Sequence, residues 1–190
     1  MTAHSKRTFL VLSLFLLATS VAFSQKNYSL KSHKVSVEGT STVHDWSSDV
    51  TKLDWVGQLT VEGTSVKAIQ NVVITIPVES IKSEKGGMMD DKTFEAFKYE
   101  KNPTITFKMT SATLTGADVK ANGTLTMAGE TKPIVMNVAT KVLADGSVHL
   151  SGSQAINMKD YKMTPPKAVL GTIKVGEKVI LLFELTVTPH

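Results

Sequence analysis

Residues 25–190 predict an all-β, antiparallel domain of about eight strands, a sandwich or a barrel, with one short helix near an end. Three observations carry this: apolar and polar residues alternate over many short stretches, turn residues punctuate them at regular intervals, and a single segment changes to helical spacing.

Taken in order, Val35 and Val37 alternate with polar neighbours and open the series. Within it GTSTVHDW reads as strand, so His44 and Asp45 face opposite ways while His44 and Trp46 share a face. Leu53–Val61 and Val66–Pro77 follow on either side of Glu62-Gly63, a turn signal. The segment from Met89 to Lys101 breaks the rule. It has an aspartate near its start, good helix formers inside, Phe94 and Phe97 on one face, and Asn102-Pro103 to stop it. A short amphipathic helix is expected across an end or edge of the sheet, its Phe pair plugging the core or lining a mouth.

Ile105, Phe107 and Met109 then alternate with threonines and Lys108, and Leu125 and Met127 with Thr124 and Thr126. Ala128-Gly129-Glu130 turns the chain into Ile134–Val142, and Asp145-Gly146 turns it into Ser147–Met158. Pro165-Pro166 marks an irregular connection. Val175-Gly176-Glu177 reads as a last turn before Val179–Val187.

The first 24 residues differ in kind. Lys6 and Arg7 precede an apolar stretch from Phe9 to Phe23, and small residues at Ala22 and Ser24 suit a signal peptidase, so residues 1–24 are expected to be a cleaved secretory signal. The domain is then 25–190, periplasmic or secreted. Without the signal the formal charge falls from +4 to +2, from 19 basic against 17 acidic residues. Those charges are scattered, with no basic stripe and no interleaved aromatics, which argues against nucleic acid. No stable membrane span remains after cleavage. With no cysteine, disulfides, thiolate ligands and a cysteine nucleophile are excluded.

Ser41, His44 and Asp45 are the residue types of a hydrolase triad, but strand neighbours cannot easily join hands through their side chains, and no Gly-x-Ser-x-Gly elbow is present. His33, His44, His149 and His190 fit no metal-ligand spacing, and Gly86-Gly87 does not make a phosphate-cradling loop. No catalytic residue, metal or cofactor is expected. Seven methionines lie beyond Met1, four of them in strand segments, where flexible thioethers either fill an irregular core or line a cavity for an apolar ligand.

Five blocks in order, VSVEGTSTVHDW, VITIPVESIKS, DDKTFEAFKYEKNPTITFKMTS, GTLTMAGETKPIVMNV and MKDYKMTPPKAVLGTIKVGEKVILLFELTV, resemble the YceI-like proteins, with this chain as a divergent branch. The resemblance runs from about Tyr28 to Thr188. It implies a lipocalin-like antiparallel barrel of about eight strands that binds polyisoprenoid lipids. It also implies an exported, non-catalytic protein whose partner is an apolar lipid, a polyisoprenoid or an acyl chain; a homodimer is an open alternative to a single copy, which the residues do not decide. The expected cavity lining is Trp46, Trp55, Phe94, Phe97, Phe107, Met109, Met127, Met136 and Met158, with His44 and Lys82 as polar groups at the rim. The rival role is an envelope stress or interaction protein that uses the barrel as a scaffold.

Overall fold

The alternation becomes eight strands that close on themselves. The computed structural model describes residues 25–84, 86–168 and 171–190. The expected signal segment lies outside the described residues. In chain order the strands are β1 (Lys26–Ser41), β2 (Trp46–Val50), β3 (Asp54–Glu62), β4 (Ser65–Pro77), β5 (Ile81–Ser83), β6 (Thr104–Thr115), β7 (Asp118–Met127), β8 (Glu130–Val142), β9 (Val148–Asn157), β10 (Lys167–Ala168) and β11 (Ile173–Pro189). The helix α1 (Met88–Phe97) falls between β5 and β6, and short 3-10 turns occupy Val78–Ser80 and Met158–Tyr161.

The ring runs β1-β3-β4-β6-β7-β8-β9-β11, all antiparallel, and closes where β11 pairs β1 from Tyr28↔Pro189 to Ser41↔Val175. Closure removes most of the free edges that an open sheet would expose, the exception being the unpaired lengths of β4 and β6 beyond Val73↔Lys108. Strand β1 does double duty. One edge is taken by β11, while the other serves β3 at Lys26–Ser29 and β2 at Ser36–Gly39. Between those two contacts His33 Nε2 lies 3.2 Å from the Val50 carbonyl. Shifts in register at Leu30/Ser32, Gly39/Ser41, Val56/Gln58 and Met109/Ser111 supply the bends that a small barrel needs.

Two expectations are corrected here. GTSTVHDW is a hairpin and not a strand: β1 ends at Ser41, and β2 starts at Trp46. Ser41 makes the turn, its hydroxyl donating to the His44 carbonyl at 2.7 Å and accepting from the backbone of Val43 and His44. His44 and Trp46 therefore share no strand face. Val175-Gly176-Glu177 is not a turn but lies within β11, where the pairing with β1 slips between Gly39↔Val179 and Ser41↔Val175. Gly176 is there because Thr40 crosses close, its Oγ1 only 2.6 Å from where a Cβ would stand.

The two ends of the barrel differ. At one end Leu59, Val148 and Val187 are wholly buried, with Tyr28 and Val66 filling the space between them. Lys31 Nζ pairs with Asp145 Oδ2 at 2.6 Å across this end, while Asp145 Oδ1 accepts from the Ser147 N–H. Lys31 first, then that N–H, hold the Asp145 carboxyl down at about 2. At the other end lies α1. Asp90 in its first turn accepts from the Ser83 N–H at 2.8 Å and ties the helix to β5. Lys98, in the left-handed conformation at φ 52°, ends it. Beside α1 the 3-10 turn Met158–Tyr161 is strapped over β8 by Lys162 and Glu130 at 2.8 Å, a contact that holds the Glu130 carboxyl below the usual range. Among the described residues no helix is long and apolar enough to cross a membrane.

Candidate functional site: a blind apolar bore

Side chains on the inner faces leave the barrel hollow toward its helix end. The bore has a volume of about 210 Å³, whereas a single water needs roughly 10–15 Å³ on the same measure. Its lining is apolar except for Ser48, Lys92, Thr93 and Gln154. Tyr28, Leu59, Val66, Val148 and Val187 are absent from the wall, because they plug the far end. On β11 the lining runs from Val175 to Leu185. Ten residues at roughly 3.3 Å each, tilted by about 40°, give a bore of roughly 25 Å along the axis.

Glycines keep that interior open. Trp46 lies over Gly39, Trp55 over Gly57, Phe107 over Gly123 and Phe183 over Gly152, each ring covering backbone where any other residue would place a side chain. The rings lie against the wall instead of crossing the bore. Trp46 is fixed further by its Nε1, which donates to the Thr40 carbonyl at 3.2 Å.

Helix α1 forms one side of the mouth. Met89, Lys92, Thr93, Ala96 and Phe97 face the bore, the spacing of a single helical stripe. Lys92 Nζ is drawn to Glu95 Oε2 at 2.7 Å.

Trp46, Trp55, Phe97, Phe107, Met109, Met127, Met136 and Met158 all line the bore. Met158 does so from the 3-10 turn rather than from a strand. Phe94 does not. It lies off the Met89–Thr93–Ala96 stripe and packs on the outer side against Tyr99, ring centroids 5.4 Å apart. Lys82 is also outside, its Nζ 5.1 Å above the Phe94 ring and 3.4 Å from Asp90 Oδ2, so it braces the helix and does not reach the rim of the bore. His44 belongs to the exposed hairpin, its Nδ1 2.7 Å from the Asp45 carbonyl, and it does not line the bore. With Ser41 Oγ committed to the same turn, these residues form a cap and not a relay. Among the described residues no three His, Asp or Glu side chains gather as metal ligands would.

Sequence reasoning missed Phe183, Ile74, Leu181 and the four inward glycines. Phe183 and Leu181 belong to the period-two run Val179–Leu185 and were within reach of that signal.

A YceI-like domain model matches residues 18–187. The chain belongs to the YceI-like family. No curated protein sequence matches it. Several solved structures share its fold at low identity. BcnA of Burkholderia cenocepacia superposes with a TM-score of 0.66 at 17% identity, over 82% of this chain and 96% of that one. A structure from Saccharophagus degradans, described as a polyisoprenoid binding domain implicated in plant cell wall breakdown, gives 0.64 at 13%, over 86% and 98%. The YceI protein of Campylobacter jejuni gives 0.54 at 18%, over 98% and 94%. This YceI-like chain therefore spans nearly the full length of each neighbour, and the closed eight-strand barrel is common ground.

Proposed function

We propose that this YceI-like chain is an exported, non-catalytic carrier that holds a long apolar chain, a polyisoprenoid or a long acyl group, inside its bore. The observation that carries this reading is the bore itself: long, narrow, apolar and plugged at one end. A bilayer leaflet is about 15 Å of hydrocarbon, half of roughly 30 Å, so a bore of roughly 25 Å suits a chain longer than an ordinary acyl tail. Burying about 400 Å² of such a chain is worth on the order of 10 kcal/mol, against association costs of roughly 4–15 kcal/mol. Affinity then rests on length more than on polar contacts. The polyisoprenoid-binding description of the Saccharophagus neighbour supports the same class of ligand. The signal-like residues 1–24 support the periplasm or the exterior as the working compartment.

Native mass spectrometry after gentle purification from a lipid-containing host tests the proposal. The expected result is an adduct with the mass of a prenyl or long acyl species, lost on organic extraction and regained on titration. Protein that stays unliganded and takes up neither class overturns it.

A further inference from the structure

The barrel wall is split at one seam. Strands β4 and β6 pair only from Val73↔Lys108 to Pro77↔Thr104, although β4 begins at Ser65 and β6 continues to Thr115. Over the unmatched lengths each strand keeps its other neighbour, β3 for β4 and β7 for β6, so both are ordered while the space between them stays open. Both strands bend away at this point. The register slips at Met109/Ser111 on β6, and on β4 Asn71 adopts the left-handed conformation at φ 54° beside a slip at Val56/Gln58. Asparagine takes this conformation more readily than other non-glycine residues, so the bend is written into β4 itself.

The resulting slot is lined by Lys67, Gln70 and Asn71 on one side and by Thr110 and Ser111 on the other. Ile69 and Met109 belong to the walls of both the slot and the bore, so the two spaces adjoin. The slot is polar where the bore is apolar. Asn71 Nδ2 donates to Gln58 Oε1 at 2.7 Å, and Gln70 Oε1 accepts from Gln25 Nε2 at 3.0 Å. With those bonds made, the exposed Gln70 amide N–H groups and the Asn71 side-chain carbonyl remain as a donor and an acceptor on the slot wall. Ser111 Oγ accepts from Asn122 Nδ2 at 3.2 Å, and its own proton remains to be given. The slot's one charged side chain, Lys67, is half exposed with Glu62 3.7 Å away, so the Glu62 carboxylate stands beside any anionic group that approaches the lysine and repels it.

We propose that the β4–β6 slot is a second binding subsite, a side opening in which the neutral, hydrogen-bonding end of a chain lipid reaches the surface while its apolar chain fills the bore. A free alcohol fits, and a diphosphate or carboxylate does not. This rests on the reading that the bore holds a chain lipid. The chain then lies with its polar end at the seam and its tail toward α1.

Geranylgeraniol, geranylgeranyl diphosphate and the corresponding hydrocarbon are titrated into the full chain after organic extraction, and into a Gln70→Leu/Ser111→Val variant whose folding is checked by its thermal transition. The native protein should favour the alcohol over the diphosphate by roughly tenfold, the worth of one or two hydrogen bonds. The variant should lose most of that preference while binding the hydrocarbon as before. Should the variant not fold, Thr110→Cys alkylated with a bulky maleimide is expected to weaken the alcohol alone by a similar factor. A native preference for the diphosphate, or an alcohol affinity untouched by either change, overturns the subsite. Failure of the native protein to bind any of the three overturns the bore as a lipid site, a distinct result.

Discussion

The ring of Phe183 rests on the bare backbone of Gly152, its direct cross-strand partner. A Cβ at position 152 would stand 2.6 Å from Phe183 Cζ, and would also meet the Asn137 carbonyl of the neighbouring strand. The ring has somewhere to go, but the carbonyl does not. Gly152→Ala should therefore cost about 1–3 kcal/mol through strand displacement. A urea titration should show a lower midpoint at unchanged slope, and an unshifted midpoint would contradict the close packing.

Ala121 faces the bore from the middle of β7, with open space in front of it. Ala121→Phe adds volume to a void and not to a packed core, so its stability should stay within about 1.5 kcal/mol of the native protein. Uptake of a long prenyl or acyl chain should fall at least about tenfold, as a narrow bore loses part of its length. A blocked variant that still loads lipid normally would place the ligand elsewhere. A crosslinked protein partner retained by that variant would favour the scaffold role.

Met109, Met127, Met136 and Met158 line the bore. Oxidation to the sulfoxide puts polar groups on an apolar wall. Mild peroxide should weaken chain binding, and a variant with leucine at all four positions should resist that loss; equal sensitivity in both would remove the methionines from the binding surface. Bound lipid should protect the four from oxidation, read as a smaller mass gain.

Asp145 has its carboxyl held at about 2 by Lys31 and by the Ser147 N–H, below an ordinary value of 3.8. A depressed carboxyl stabilises the folded chain above its unfolded value, and this contribution is lost as pH falls. Acid titration should show stability declining between about pH 4 and pH 2 from this group. Asp145→Asn should flatten the decline in that window, and an identical acid profile would show that the pair contributes nothing.

Much of the wall was legible because a strand writes its inner face at every second residue. Ile105, Phe107 and Met109 read correctly from alternation alone, and so did Leu125 with Met127. Alternation does not say whether the last strand meets the first. Closure depends on β1 running from Lys26 to Ser41 and offering both edges, a pairing between residues 134 to 161 positions apart. That came only from the family resemblance. The hairpin in GTSTVHDW was hidden because Ser41 turns the chain by hydrogen bonds from one hydroxyl, without a glycine or proline to mark it. Phe94 was misplaced because Phe97 stands at the edge of the inward stripe of α1, and Phe94, about 60° further round the helix, falls beyond that edge. Gly176 misled for a different reason: glycine marks turns and close approaches alike, and only the position of Thr40 distinguishes them.

Of the aromatic rings laid over glycine, Trp46 is tethered to Thr40, while Phe107 over Gly123 and Phe183 over Gly152 have no polar tether and give the barrel an adjustable calibre. The width of the passage is set at those points by side-chain torsions, and rotamer changes are fast beside any opening of the strand ladder. Under the proposed carrier role, a chain thinner than the bore would be met by tilting a ring off its glycine into the passage while every interstrand hydrogen bond stays in place. The tolerance of this wall resides in its furniture, and the masonry does not have to move.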